Sequence, residues 1–309
     1  MKISKYALLM MAAGVAITLT STKALAQYTL SGNYLQVGVG ADGSIINPSG
    51  SATPVAGQSY SSHPGIIWDG SGSGNFSVNN DFITPGTPFQ MYSLGVNGNY
   101  GYASYYAGNT LGATTIQTGP LSTQTVGSYG GLNYVQNLSF GANNSIINFS
   151  VTLTNATTGT LNNIAYASGF DPDPDVYQHG SYFTTNSIIA PGIVQATGPL
   201  TTNSILIQDL TGGAVADIVA SWPTYSPYGL LAGINNGDGD YSIFDAWSIS
   251  SLDAGASATI SYNYIINSTP VKPGDPILTG TVPDSASTLA LLGCAMVALA
   301  GIRRRRQMA

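Results

Sequence analysis

Apolar and polar residues alternate in several short runs along this chain. In SIINFSVTLTN (145–155), Ile147, Phe149, Val151 and Leu153 fall on one side and Asn148, Ser150, Thr152 and Thr154 on the other. A period of two is what a half-buried strand requires, because successive side chains point to opposite faces. YTLSGNYLQVGVG (28–40), FQMYSLGVN (89–97) and ATISYNYIIN (258–267) follow the same rule. β-Branched and aromatic residues dominate these runs, and Gly, Asn, Asp and Pro interrupt them about every eight to twelve residues, the rhythm of a sandwich or barrel. The predicted fold is all-β: an antiparallel β-sandwich, either one large sandwich or a supersandwich-like body. No stretch between the two ends carries a 3.6-residue period, so helix there should be minor. Residues 41–75 read mostly as loop, with one short apolar piece at Ile66–Trp68.

The two ends follow different patterns. At the start, Lys2 and Lys5 precede an apolar run from Tyr6 to Leu19, then a polar stretch and Ala24-Leu25-Ala26. This is the build of a signal helix at 1–26, with cleavage expected between Ala26 and Gln27 and an uncleaved membrane anchor as the alternative. At the other end, residues 285–302 carry no charge. As a transmembrane helix they would be about 27 Å long, close to the roughly 30 Å of a bilayer core. Arg303, Arg304, Arg305 and Arg306 follow and would stay cytoplasmic by the positive-inside rule. Between the ends, 27–268 reads as one continuous body, because a composition change near 120–130 is not followed by a linker. TPVKPGDPILTGT (269–281), with its three prolines and two glycines, reads as an extended connection to a terminal segment at 282–309.

Charge narrows the partners. Lys2, Lys5, Lys23 and the four terminal arginines account for all basic residues except Lys272, and there is no glutamate. The body between 27 and 283 sets that one lysine against thirteen aspartates, a balance of about −12. Such a surface excludes nucleic acid and anionic lipid as ligands and favours cations. The single cysteine, Cys294, lies in the apolar terminal segment, so the body has no disulfide, thiol nucleophile or cysteine metal site.

Val282, Pro283, Asp284 and Ser285, the apolar span and the arginine cluster together resemble a PEP-CTERM sorting signal, in the variant with a Val-Pro-Asp-Ser-Gly motif. Ala286 stands where that variant has glycine. The resemblance covers only the last 25 or so residues. It implies a Gram-negative cell that makes exopolysaccharide, and an exosortase-like membrane protease as partner. It also implies an inner-membrane-tethered precursor whose body passes to the cell surface or extracellular matrix; a plain tail anchor is the alternative. Within the body, SSLDAGASATISYNYII (250–266) and SVTLTNATTGTLNNIAYASGFDPDPD (150–175) are loosely similar to segments of secreted bacterial sandwiches, which implies no activity.

Two acidic clusters are candidate metal sites. In FDPDPDVYQHG (170–180), Pro172 and Pro174 bias the chain toward extended conformations, so Asp171, Asp173 and Asp175 could share one side. Three carboxylates that close repel unless a cation neutralises them, and hard oxygen ligands suit Ca²⁺. In NNGDGDYSIFD (235–245), Asn236, Asp238, Asp240 and Ser242 recur every second residue, with Asp245 nearby. Tyr241 and Trp247 stand where an EF-hand needs glycine and a bidentate acid, so this is no EF-hand. Solvated turns are the plainer reading of both clusters.

Catalytic patterns are scarce. There is no Gly-x-Ser-x-Gly elbow and no phosphate loop, and His63 and His179 are the only neutral-pH bases. An enzyme is therefore not expected; a glycan-active one would have to use Asp171, Asp173, Asp175 and His179. Aromatic residues offer more. NYGYASYY (99–106) puts Tyr100 and Tyr102 on one strand face, with Tyr105 or Tyr106 close by, and SWPTYSPYG (221–229) adds Trp222, Tyr225 and Tyr228. Exposed, these rings could stack on sugars; ordinary cross-strand packing is the alternative. The expected function is a structural or adhesive matrix protein, with Ca²⁺ as a candidate stabiliser and self-assembly open to it, and with a carbohydrate-binding module for exopolysaccharide as the second reading.

Overall fold

The computed structural model describes residues 27–46, 64–220, 224–267 and 269–273. The expected signal helix, the sorting motif with its transmembrane helix and arginines, His63 and Trp222 lie outside the described residues. Among the described residues, no helix is long and apolar enough to cross a membrane.

The described chain is built almost entirely of strands. It runs β1 (Tyr28–Ser31), β2 (Leu35–Val39), β3 (Ile66–Trp68), β4 (Gln90–Val96), β5 (Asn99–Ser104), β6 (Gly108–Asn109), β7 (Thr114–Gly119), β8 (Ser122–Tyr129) and β9 (Leu132–Phe140). It continues through β10 (Ile146–Asn155), β11 (Leu161–Phe170), a single helical turn α1 (Val176–His179), β12 (Thr185–Ala190), β13 (Ile193–Thr197) and β14 (Ser204–Asp209). The last elements are β15 (Val215–Val219), a second helical turn α2 (Pro227–Leu230), β16 (Ser242–Leu252) and β17 (Ser257–Asn267). The runs read as strands at 28–40, 89–97, 145–155 and 258–267 are strands here, the first broken into β1 and β2 by a turn at Asn33.

The strands form three antiparallel sheets. One has three strands, β1-β2-β3. A second has eight, β12-β13-β14-β17-β10-β9-β8-β7, and the third has six, β15-β16-β11-β4-β5-β6. The eight- and six-stranded sheets face each other across one core. Ile147, Phe149, Val151 and Leu153 of β10 are fully buried there with Tyr92, Leu94, Tyr166, Phe170 and Trp247 from the opposite sheet, and Leu35, Val37 and Val39 of the small sheet close one side. The architecture is thus a β-sandwich with an added small sheet.

The core is unusually rich in tyrosine. Tyr92, Tyr166, Tyr262 and Tyr264 are fully buried, and their hydroxyls bridge the two sheets. Tyr166 and Tyr262 lie 3.1 Å apart, Tyr264 and Ser168 2.7 Å apart, and Tyr92 and Tyr134 3.0 Å apart. Tyr166 also donates to Gln136 Oε1 at 2.9 Å. A buried hydroxyl needs a partner to offset its lost hydration, and here each tyrosine hydroxyl finds one on another strand.

Candidate functional site

The β4–β5 hairpin turns through Asn97 and Gly98, both at positive φ (53° and 84°), the Asn-Gly pairing that suits a tight two-residue hairpin turn. It presents Tyr100 and Tyr102 on the outer face of the six-stranded sheet, opposite Gly95 and Ser93. Over that face lies the segment carrying α2. Ser226 caps α2 by accepting from Gly229 N at 3.3 Å, and Pro227 supplies the fixed φ of a first helical position. The Tyr228 hydroxyl accepts from Gly98 N (3.1 Å) and donates to Asn163 O (2.7 Å), clamping the segment to β4, β5 and β11. Gly95 is required beneath it, since a Cβ there would approach the Tyr228 ring to 2.6 Å. Leu230 completes the attachment in a small second core with Met91, Ala167, Val219 and Phe244.

This clamp fixes Tyr225. Its ring stacks on Tyr102 with centroids 4.5 Å apart and an interplanar angle of 23°. Phe89 meets it edge-on at 5.9 Å. Burial, with Tyr102 and Tyr106 adding to it, pushes the Tyr225 hydroxyl up to about 12, so it remains a proton donor at neutral pH. That hydroxyl is buried and has no hydrogen-bond partner among the described residues. Tyr100 is 41 % exposed and Tyr106 50 % exposed. Three of the four predicted stacking residues (Tyr100, Tyr102 and Tyr225) are thus gathered on one face, and Trp222 lies three residues before Tyr225 outside the described segment. Tyr105 and Tyr106 follow the end of β5 and sit in its turn.

The acidic residues are distributed differently from their spacing. Asp171 and Asp173 are buried, and burial, then the charges of Asp171 and Asp240, push the Asp173 carboxyl well above the usual range. Asp175 leaves the alternation. It takes a helical conformation (φ −98°, ψ −9°) at the start of α1, which turns its carboxylate to another segment. There it accepts from Leu200 N (2.8 Å), Thr201 N (3.0 Å) and the Thr201 hydroxyl. Asp238 is exposed and accepts from Asn186 N at 2.8 Å, and Asp240 is exposed beside it. Among the described residues, no three carboxylate, cysteine or histidine side chains are grouped to hold a metal ion. His179 is exposed at the end of α1.

Two further carboxylates are buried: Asp245, read in the sequence only as a neighbour of the second acidic cluster, and Asp217, which the sequence did not single out. Asp245 lies inside β16, not in a loop, and faces the core between Ile243 and Trp247; both its oxygens are buried without a hydrogen-bond partner among the described residues. Burial, with Asp209 and Asp217 nearby, pushes it well above the usual carboxylate range. Asp217 on β15 is fully buried as well, and burial pushes it up to about 7. The signal for Asp245 was present in SIFDAWSIS, where Ile243, Asp245 and Trp247 share one face at period two.

Comparison with known proteins identifies the tail. The VPDSG-CTERM motif matches residues 281–306, so the chain ends in a C-terminal sorting signal related to PEP-CTERM. A comparison with curated proteins finds no match. Among solved structures, the chain is similar to a bacterial glucoamylase complexed with acarbose (8% identity, TM-score 0.48, covering 78% of this chain and 32% of that one). It is also similar to a TPR-domain containing protein from Parabacteroides distasonis (11%, TM-score 0.47, 83% and 49%). A third is a putative aldose 1-epimerase from Escherichia coli K12 (12%, TM-score 0.39, 78% and 99%). The chain spans about a third of the glucoamylase's length.

Proposed function

We propose that this is an exported, non-catalytic adhesive protein of the extracellular matrix that holds exopolysaccharide on its tyrosine face. The sorting signal supports export and surface localisation and implies processing by an exosortase-like membrane protease. The observation that carries the binding reading is the Tyr102–Tyr225 stack, flanked by exposed Tyr100 and Tyr106. A ring pair already held by Phe89 and the Tyr228 clamp offers flat apolar surface at little further cost in side-chain entropy. Neutral sugars suit a body at about −12 that has only Lys272 as a cation, since acidic ones would be repelled.

Native electrophoresis of the exported protein through gels containing the exopolysaccharide of its own cells tests this. Migration should be retarded. Tyr102→Ala should weaken binding about tenfold, roughly 1.4 kcal/mol, and Tyr100→Ala severalfold with an unchanged unfolding midpoint. Equal mobility with and without polysaccharide, or alanine variants that bind as the native protein does, would sink the reading.

A further inference from the structure

Among the described residues the two large sheets have four edges, and three of them are covered, shifted in register or very short. Along β15, Ile218 N donates to Ile234 O and Asn236 N donates to Ile218 O, so residues 234–236 run as a cover. At β12 the pairing with β13 shifts register between Ile188 and Ala190, and the Asp238 carboxylate takes the Asn186 N–H. The β6 edge has only two residues. β7 has six, and among the described residues its one hydrogen-bonded neighbour is β8. Alternate N–H and C=O groups on its far side are a template for another strand.

β7 has few of the devices that protect such an edge, a register shift against β8 between Gln117 and Gly119 being the exception. Its sequence, TTIQTG, has no charge and no proline. Ile116 is 58 % exposed on the outer face, and Val126, its diagonal neighbour on β8, is 42 % exposed. The neighbouring strands β8, β9 and β10 are uncharged too: from Phe82 to Phe170 the sequence has no Asp, Glu, Lys, Arg or His. All thirteen body aspartates fall outside that span. A body at about −12 repels its own copies in most orientations, but not where these strands meet.

We propose that β7 pairs antiparallel with β7 of a second copy, joining two eight-stranded sheets into one continuous sheet. A second copy is the occupant because the edge is self-complementary. About a twofold axis at Ile116, Ile116 faces Ile116 of the partner copy and Thr114 faces Thr118, with no charge to select a different protein. Matrix proteins joined in pairs would present two tyrosine faces, and linked sites hold a long polymer far more firmly than one. The pairing does not depend on the glycan reading.

Site-specific cross-linking in the full chain, in cells and with Cys294→Ser as background, tests the proposal. Antiparallel partners at such a position have Cα atoms about 4.5–5.5 Å apart, within the 4.4–6.8 Å range that a disulfide bridges. Ile116→Cys should therefore yield a dimer on a non-reducing gel after mild oxidation. Val126→Cys and Thr152→Cys, on the same outer face but away from the edge, should stay monomeric. The double variant Thr114→Cys/Thr118→Cys should cross-link in the same register, which guards against a defect peculiar to position 116. Monomer from both edge variants, equal cross-linking at all positions, or a product containing a different protein would overturn the proposal.

Discussion

Truncating Phe149 to alanine is expected to lower the unfolding midpoint by about 6–20 °C. Phe149 sits at the middle of β10, between β9 and β17, and is fully buried. Its ring lies parallel to Tyr262 (4.6 Å between centroids, 6°) and 4.7 Å from Tyr264. These are the two tyrosines whose hydroxyls reach across to Tyr166 and Ser168 on the facing sheet. Phe→Ala in a packed core costs about 3–5 kcal/mol, and in a body of this size each kcal/mol moves the midpoint by about 2–4 °C. The cavity would also free both tyrosine rings to tilt and loosen their hydroxyl bridges. Phe149→Leu keeps most of the volume and should cost less than half as much. A shift under about 3 °C for Phe149→Ala, measured by calorimetry, would mean that this stack does not lock the sheets together.

How much of this was legible in the sequence depends on what each residue had to reveal. The strands of the core could be read because one apolar face repeats at period two, and β10 carries that pattern over ten residues. The Asn-Gly turn before Tyr100 and the shared face of Tyr100 and Tyr102 were equally local, so the tyrosine face was partly visible. Its anchoring was not. Tyr225 meets Tyr102 only because the Tyr228 hydroxyl binds Gly98 and Asn163, residues 130 and 65 positions away in the chain. The shared face expected for Asp171, Asp173 and Asp175 was not legible for the opposite reason. Regular spacing implies a shared face only while the backbone stays extended, and α1 begins one residue after Asp175. Core tyrosines are a further blind spot, because composition does not separate a buried, hydrogen-bonded Tyr166 from an exposed Tyr106.

The buried carboxylates make an unusual pH dependence the other large expectation: the fold should lose stability as pH rises from 5 to 8. Asp217 is fully buried; Oδ1 accepts from Ile234 N, whereas Oδ2 has no hydrogen-bond partner among the described residues. Burial raises its carboxyl from 3.8 to about 7. Between those values the folded chain keeps a proton that the unfolded chain has released, so stability falls with rising pH. The contribution is intact below about pH 4 and lost progressively up to about pH 7. From pH 5 to pH 8 Asp217 alone accounts for about 2–3 kcal/mol, or a fall in midpoint of about 4–12 °C. Asp245 and Asp173, both raised chiefly by burial, act with the same sign. Asp69 acts oppositely, because hydrogen bonds from Ser71 and Ser73 hold it well below the usual range. Its effect falls below pH 4, outside this window. Asp217→Asn keeps an acceptor for Ile234 N and removes the ionisation. It should melt several degrees above the native protein at pH 8 and near it at pH 5. A native midpoint that is flat or rising between those pH values would show that these carboxylates reach water or a cation in solution.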